Sequence, residues 1–235
     1  MTSIALASVK HSPGVTTAAV ALAAAAGADA VVVEADPSGG DVAARARLAL
    51  EPGLLTLAAA ARHPMTPLDL PPHAQPLPAG GSVVVAPAAP ELAASAVATV
   101  ASRLPQARGA FLVLIDCGRL VAGSPAEAAV RGADALVVVT EPTVAAVEHL
   151  RARLLFLRDL NESLSLLLVG DRPYGPGEIG ATLGVPVAGV LAVNPRAVAA
   201  VYAGGGAARS LLVRSARSTL DGLLAARAGT EEVTA

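Results

Sequence analysis

One cysteine in 235 residues excludes an internal disulfide and suits a reducing compartment. Aromatic side chains make up only 2% of the sequence, so valine, leucine and alanine must build the core. No apolar run reaches the ~18 residues of a membrane-crossing helix without meeting proline, glycine or a charge. Residues 3–9 run straight into a polar loop, so no signal peptide is expected. Excess charge is missing too. The formal net charge is −2, the arginines are scattered, and no basic stripe marks a nucleic-acid surface. Together these absences predict a soluble cytoplasmic protein. Its length suits one three-layer domain over residues 1–228, with a short frayed tail at 229–235.

Lysine is nearly absent as well, and Lys10 is the only one. It stands in the stretch around which the chain is organised. An apolar run over residues 3–9 is followed by Lys10-His11-Ser12-Pro13-Gly14, and then by an Ala-rich run that opens on Val15-Thr16-Thr17. A strand, a Gly/Ser/Pro break and a helix opening on Thr-Thr is the layout of a phosphate loop. In such a loop backbone N–H groups and the helix N-terminus face the phosphates, a lysine supplies charge, and a hydroxyl holds Mg²⁺. Against the pattern G-x-x-x-x-G-K-[ST], Gly14 and Thr16 fit, whereas Val9 and Val15 replace the first glycine and the lysine. A variant pattern, G-K-G-G-x-G-K-T-T, carries an earlier lysine. Lys10, Gly14, Thr16 and Thr17 match it; Val9, His11, Ser12 and Val15 depart from it. On these residues alone, a degenerate phosphate loop and an ordinary strand–turn–helix both stay open.

Further apolar runs fall at residues 30–35, 82–86, 111–116, 135–140, 164–169 and 187–191, after the first at 4–9. Runs without polar alternation are strands buried on both faces. Helical spacing lies between them, at 16–27, 41–49, 54–62, 90–103, 124–131, 143–159, 177–183 and 207–227. The fold class is therefore α/β, three-layered and doubly wound, with a mostly parallel sheet of about seven strands and a site at their carboxyl ends. Helix 143–159 is expected to bury a stripe of Val144, Val147, Leu150, Leu154 and Leu157. In the last helix Leu212, Ala216, Leu220 and Leu224 form a stripe for the sheet. The proline-rich segment 64–81 reads as a surface loop without regular structure.

Carboxylates close two of the strands. Asp36 follows the second; it is either a helix N-cap or turn-forming residue at a strand exit, or a carboxylate that orients a water on a terminal phosphate or holds a magnesium-bound water. Asp41 reads as a plain helix N-cap. Asp116 closes Phe111-Leu112-Val113-Leu114-Ile115, the Walker B layout, in which a buried strand delivers an acid to the surroundings of Mg²⁺. Cys117 reads as a small buried hydrophobe rather than a reactive thiol. His63, His73 and His149 lack metal-ligand spacing. His11, inside the loop, either contacts phosphate or is tolerated in a loop that no longer grips one.

Taken together these residues resemble the deviant Walker A ATPases of the ParA/MinD superfamily, which share the P-loop NTPase-like fold, and most of all the CpaE/TadZ-like branch. The resemblance runs over nearly the whole chain. It implies that Lys10 is the signature lysine that reaches a partner's phosphates, and that Lys10, His11, Ser12, Gly14, Val15, Thr16 and Thr17 occupy the nucleotide cradle. Thr16 and Asp116 would hold magnesium, and Asp36 would orient the attacking water. Residues 133–142 (Ala-Asp-Ala-Leu-Val-Val-Val-Thr-Glu-Pro) look like the family's strand ending in T-x-P, while Asp171 stands near the place of an adenine-contacting Asn. ATP and Mg²⁺ are the implied ligands. The implied assembly is a homodimer working with a protein partner of a secretion, pilus or cell-division apparatus. The implied location is cytoplasmic, at most peripheral to the inner membrane face.

Departures weaken that site. Val15 removes an ammonium, and a charged hydrogen bond is worth about 1.5–3 kcal/mol, a ten- to hundredfold loss of affinity. Pro13 has no N–H to give, and His11 and Ser12 replace glycines that let backbone approach phosphate. Loss of one preorganised charge stabiliser costs about 10²–10³ in rate. A pseudo-ATPase or a very slow ATPase is expected. The alternatives are an active ATPase in which Lys10 serves in cis, and a ParA-like DNA-partitioning protein, which the near-neutral charge disfavours.

Overall fold

The computed structural model describes residues 2–10, 13–62, 68–107, 111–192 and 194–234, with side chains as far as Ala225. An eight-stranded sheet forms its middle layer. In chain order the strands are β1 (Thr2–Ser8), β2 (Ala30–Glu34), β3 (Gln75–Pro76), β4 (Ser82–Val84), β5 (Leu112–Arg119), β6 (Ala135–Thr140), β7 (Leu164–Val169) and β8 (Val187–Leu191). They lie in the order β3-β4-β2-β5-β1-β6-β7-β8, all parallel except β3, which runs antiparallel to β4. The helices are α1 (Val15–Ala26), α2 (Val42–Ala46), α3 (Leu54–Ala60), α4 (Pro90–Val100), α5 (Glu127–Gly132), α6 (Val144–Arg151), α7 (Leu154–Leu160), α8 (Pro176–Leu183), α9 (Pro195–Ala203) and α10 (Leu211–Thr234).

The inner strands feed both faces. Along β1, Ile4 and Leu6 join one core, shared with α1, α2, α9 and α10, while Ala5 and Ala7 join the other, under α3, α4, α5, α7 and α8. That two-sided burial is why the strands read as unbroken apolar runs. Helix α1 is buried almost all round because alanine lets it lie close to the sheet beneath α9 and α10. Among the described residues no helix is long and apolar enough to cross a membrane.

All seven expected strands are present, and the extra one corrects the reading of segment 64–81. Gln75 and Pro76 pair with Val83 and Ser82 at the sheet edge, where proline is tolerated because one side needs no N–H, and Pro71–His73 form a 3₁₀ turn. Of that segment, residues 64–67 lie outside the described ones, as does His63. Helix 143–159 is two helices. The Arg153 N–H bonds to the Leu150 carbonyl at 2.9 Å, a tightened turn that shifts the phase, so Leu150, Leu157 and Leu160 are buried while Val144 is 60% exposed. Helix α9 was not expected at all. In α10, Leu212, Ala216 and Leu220 pack on the sheet, whereas Leu224 is 39% exposed. The helix runs as far as Thr234.

Candidate functional site

The loop after β1 delivers the chain to α1 at the carboxyl edge of the sheet. Gly14 sits at the helix start with φ 99°, and its carbonyl accepts the Ala18 N–H at 2.8 Å. Val15, the first helical residue, turns inward, is only 5% exposed, and belongs to the same core as Ile4 and Leu6. Thr16 is half-buried, and its hydroxyl is close enough to Asp116 to favour the ionised carboxylate. Thr17 is buried with its Oγ1 3.4 Å from the Tyr202 hydroxyl. Lys10 and Pro13 line a narrow crevice of about 10 Å³ with Val139, Thr140, Glu141 and Ala146. His11 and Ser12 lie outside the described residues.

Strands β2 and β5 are neighbours, and their register sets Glu34 beside Asp116. Asp116 is 1% exposed, and its Oδ1 accepts the Gly118 N–H at 3.0 Å. Burial pushes its pKa up to about 7; the nearby Thr16 hydroxyl and the bond from Gly118 oppose that rise, and the charges of Glu34 and Asp36 add to it. Asp36 makes the turn expected of a strand exit, accepting the Ser38 N–H at 2.8 Å. It also lies directly on Gly118: a Cβ there would fall on the Asp36 carboxylate, and Gly118 has a φ of 57° that glycine adopts without strain. Burial raises the Asp36 pKa too, against the hydrogen bonds from Ser38. Asp41 does occupy the N-cap position of α2, but its side chain makes no cap bond. Glu34 does that work instead, its Oε1 accepting the N–H groups of Asp41 at 2.9 Å and Val42 at 3.0 Å.

Glu34, Gly118 and Tyr202 are the site neighbours that sequence reasoning missed. A glutamate closing the run Val31-Val32-Val33 was the available signal for the first, since a strand buried on both faces has no solvated side for it. Tyr202 comes from the unexpected α9. It is 4% exposed, lies under the Arg45 guanidinium at 3.9 Å from ring centroid, and burial raises its phenol pKa. Its signal was rarity, because the chain has two tyrosines. Cys117 is fully buried, and burial pushes its thiol pKa up, which leaves it unreactive. His73 Nδ1 meets Thr56 Oγ1 at 2.8 Å, a contact between the 3₁₀ turn and α3. Asp171 is exposed at the turn after β7.

Chemically the site is lopsided. Glu34, Asp36 and Asp116 crowd together, and among the described residues none of them is ion-paired. Among the same residues no trio of His, Cys, Asp or Glu could by itself cage a metal. A hydroxyl beside a buried carboxylate fits magnesium nonetheless, because that ion keeps waters and takes phosphate oxygens rather than filling a protein cage. Triphosphate fits less well, since Val15 brings no charge and Pro13 no N–H to the cradle. A larger cavity of about 420 Å³, between α8 and β8, is lined by Pro176, Gly177, Gly180, Ala181, Gly184, Val185, Pro186 and Val187, with no titratable group, and stands apart from this chemistry.

By sequence, no family model and no curated protein matches the chain. By structure, it is similar to a ParA family ATPase from Chlorobium tepidum, with TM-score 0.72 and 15% identity over 95% of this chain and 97% of that one. It is similar to MinD from Pyrococcus horikoshii, solved with Mg-ADP, with TM-score 0.71 and 17% identity over 94% of each chain. It is also similar to MinD in the MinC:MinD cell-division complex of Aquifex aeolicus, with TM-score 0.71 and 15% identity over 96% of each chain. The fold of the chain is the MinD/ParA fold.

Proposed function

We propose that this chain is a MinD/ParA-type protein, of the CpaE/TadZ-like branch, that keeps the frame of a nucleotide site and has lost most of its grip. It acts as a homodimeric scaffold for a secretion, pilus or cell-division apparatus, and is a pseudo-ATPase or a very slow ATPase. The observation that carries this reading is Val15, buried at the first turn of α1 beside a retained Thr16–Asp116 pair. In the parent arrangement that position aims a lysine at the phosphates; here its side chain is part of the core.

The remaining roles follow from the residues present. Gly14, Thr16 and Thr17 stand at the start of the helix whose N-terminus would face an anion, and Lys10 would add the one side-chain ammonium of the chain. Thr16 and Asp116 would hold magnesium, which when bound supplies positive charge to phosphate oxygens. Asp36, close to Asp116, would orient a water. The three carboxylates repel a polyphosphate unless the cation or protons offset them, so binding of Mg-ATP is weak. A protein partner is in keeping with the MinD that was solved with MinC.

Titration calorimetry with Mg-ATP tests the first half. A Kd weaker than about 0.1 mM is expected, and micromolar affinity, near −8 kcal/mol, would overturn the damaged cradle. Phosphate release tests the second half: turnover above about 1 s⁻¹ belongs to an ordinary enzyme and would favour Lys10 acting in cis.

A further inference from the structure

The loop over residues 36–41 is fastened at more points than a connection between β2 and α2 requires. Glu34, the last residue of β2, is 2% exposed. Its Oε1 takes the N–H groups of Asp41 and Val42, at 2.9 and 3.0 Å, at the far end of the loop. Its Oε2 takes the N–H of Ala86, at 2.9 Å, just past β4. Gly40 lies flat against this carboxylate: a Cβ there would come within 2.7 Å of Oε2 and 2.6 Å of the Ala86 carbonyl. The Gly40 N–H in turn bonds the Pro87 carbonyl at 3.0 Å. The near end of the loop is Asp36, lying on Gly118. A carboxylate has acceptor sites for all three N–H groups at once, whereas an amide must turn a donor toward one set.

We propose that Glu34 is a positioning residue acting through Asp36: by binding backbone N–H groups of two separate segments, it fixes loop 36–41 to the exit of β4 and holds Asp36 over Gly118 before any ligand arrives. The role given to Asp36 rests on the function proposed above; the fastening does not. A loop held this way has little order left to gain from a ligand, and a ligand shifts an equilibrium only by its differential affinity for the two states. The loop is thus preset.

Amide hydrogen exchange on the full chain tests this, with wild type, Glu34→Gln and the shorter but still charged Glu34→Asp. In E34Q the amides of Gly40, Asp41, Val42 and Ala86 are expected to exchange at least about tenfold faster while those of β1 and α1 keep their rates, because only the local opening changes. The Asp36 carboxyl ¹³C resonance is expected to move toward that of a solvated carboxylate, a signature that general destabilisation would not give selectively. E34D is expected to fall between the two. Millimolar Mg-ATP is expected to leave loop exchange in the wild type unchanged. Unchanged loop exchange in E34Q, an equal rise everywhere, or a wild-type loop that gains protection from Mg-ATP would each overturn the proposal. If E34Q does not fold, the E34D result decides alone on the same criteria. Calorimetry on the same samples separates the two readings: no heat from Mg-ATP, with loop release in E34Q, would support the Glu34 role and remove weak nucleotide binding.

Discussion

Val15 sets how far the phosphate loop can recover its charge. Replacing it with lysine removes a buried methyl pair and supplies an ammonium at the first turn of α1. V15K is expected to bind Mg-ATP ten- to hundredfold more tightly, from a charged hydrogen bond of about 1.5–3 kcal/mol. It is also expected to lose about 1–2 kcal/mol of stability, because the valine it replaces is buried. Calorimetry and urea unfolding on the same sample read both numbers, and unchanged affinity would show that Val15 is not what weakens the site. Asp116 gives a second expectation, this time in pH. Its folded pKa of about 7 lies above the ordinary 3.8, so the native state holds a proton that the unfolded state releases. Stability from this group is therefore greatest below pH 4, falls as pH rises toward 7 and levels off above it. The total is on the order of 4 kcal/mol, at about 1.4 kcal/mol per unit. Glu34 and Asp36, raised by burial, push the same way. D116N, which can still accept from Gly118, is expected to flatten this slope and to be the more stable protein at pH 8. Urea midpoints at pH 4.5 and 8 check it, and parallel curves for the two proteins would contradict a protonated Asp116.

At the scale of elements, the parallel strands were legible because all but the edge strand β8 are largely buried on both faces, and none carries polar alternation. What escaped the sequence had physical reasons. Helix α9 is short, begins on Pro195 and ends at Gly204 with φ 83°, so breakers bracket it more strongly than its Ala/Val interior announces it. Strand β3 holds only two residues and exists through its register with β4, which no local pattern encodes. At the site, Asp36 and Asp116 stood out as acids at strand ends, while Glu34 looked like part of the strand and Tyr202 depended on α9. That helix gives the next expectation. Tyr202 ties α9 to α1 through Thr17 and to α2 through Arg45. The hydroxyl contact of 3.4 Å is long, so most of the tie is ring burial. Y202F is expected to cost less than about 1 kcal/mol, and Y202A about 3–5 kcal/mol. Equal losses in thermal unfolding would put the weight on the hydroxyl instead.

For the whole molecule the question is whether nucleotide changes its state. A switch needs one state to bind ligand much more tightly than the other, and moving a population from 1:99 to 99:1 takes about 10⁴-fold. This chain has little with which to build that difference. Its single lysine is Lys10, Val15 is turned into the core, and loop 36–41 is fastened by Glu34 without ligand. Weak binding to a preset site yields a small differential, so assembly should follow protein concentration rather than nucleotide. Light scattering after gel filtration is expected to give the same mass with and without millimolar Mg-ATP, at a protein concentration where a dimer is partly dissociated. In V15K, where affinity is restored, mass is expected to respond only if the loop can also move. Combining it with E34Q should therefore make the mass respond where neither single variant does. A wild-type chain that becomes a dimer on adding Mg-ATP would mean that the cradle still senses its ligand, and that the acids around Asp116 are part of a working switch.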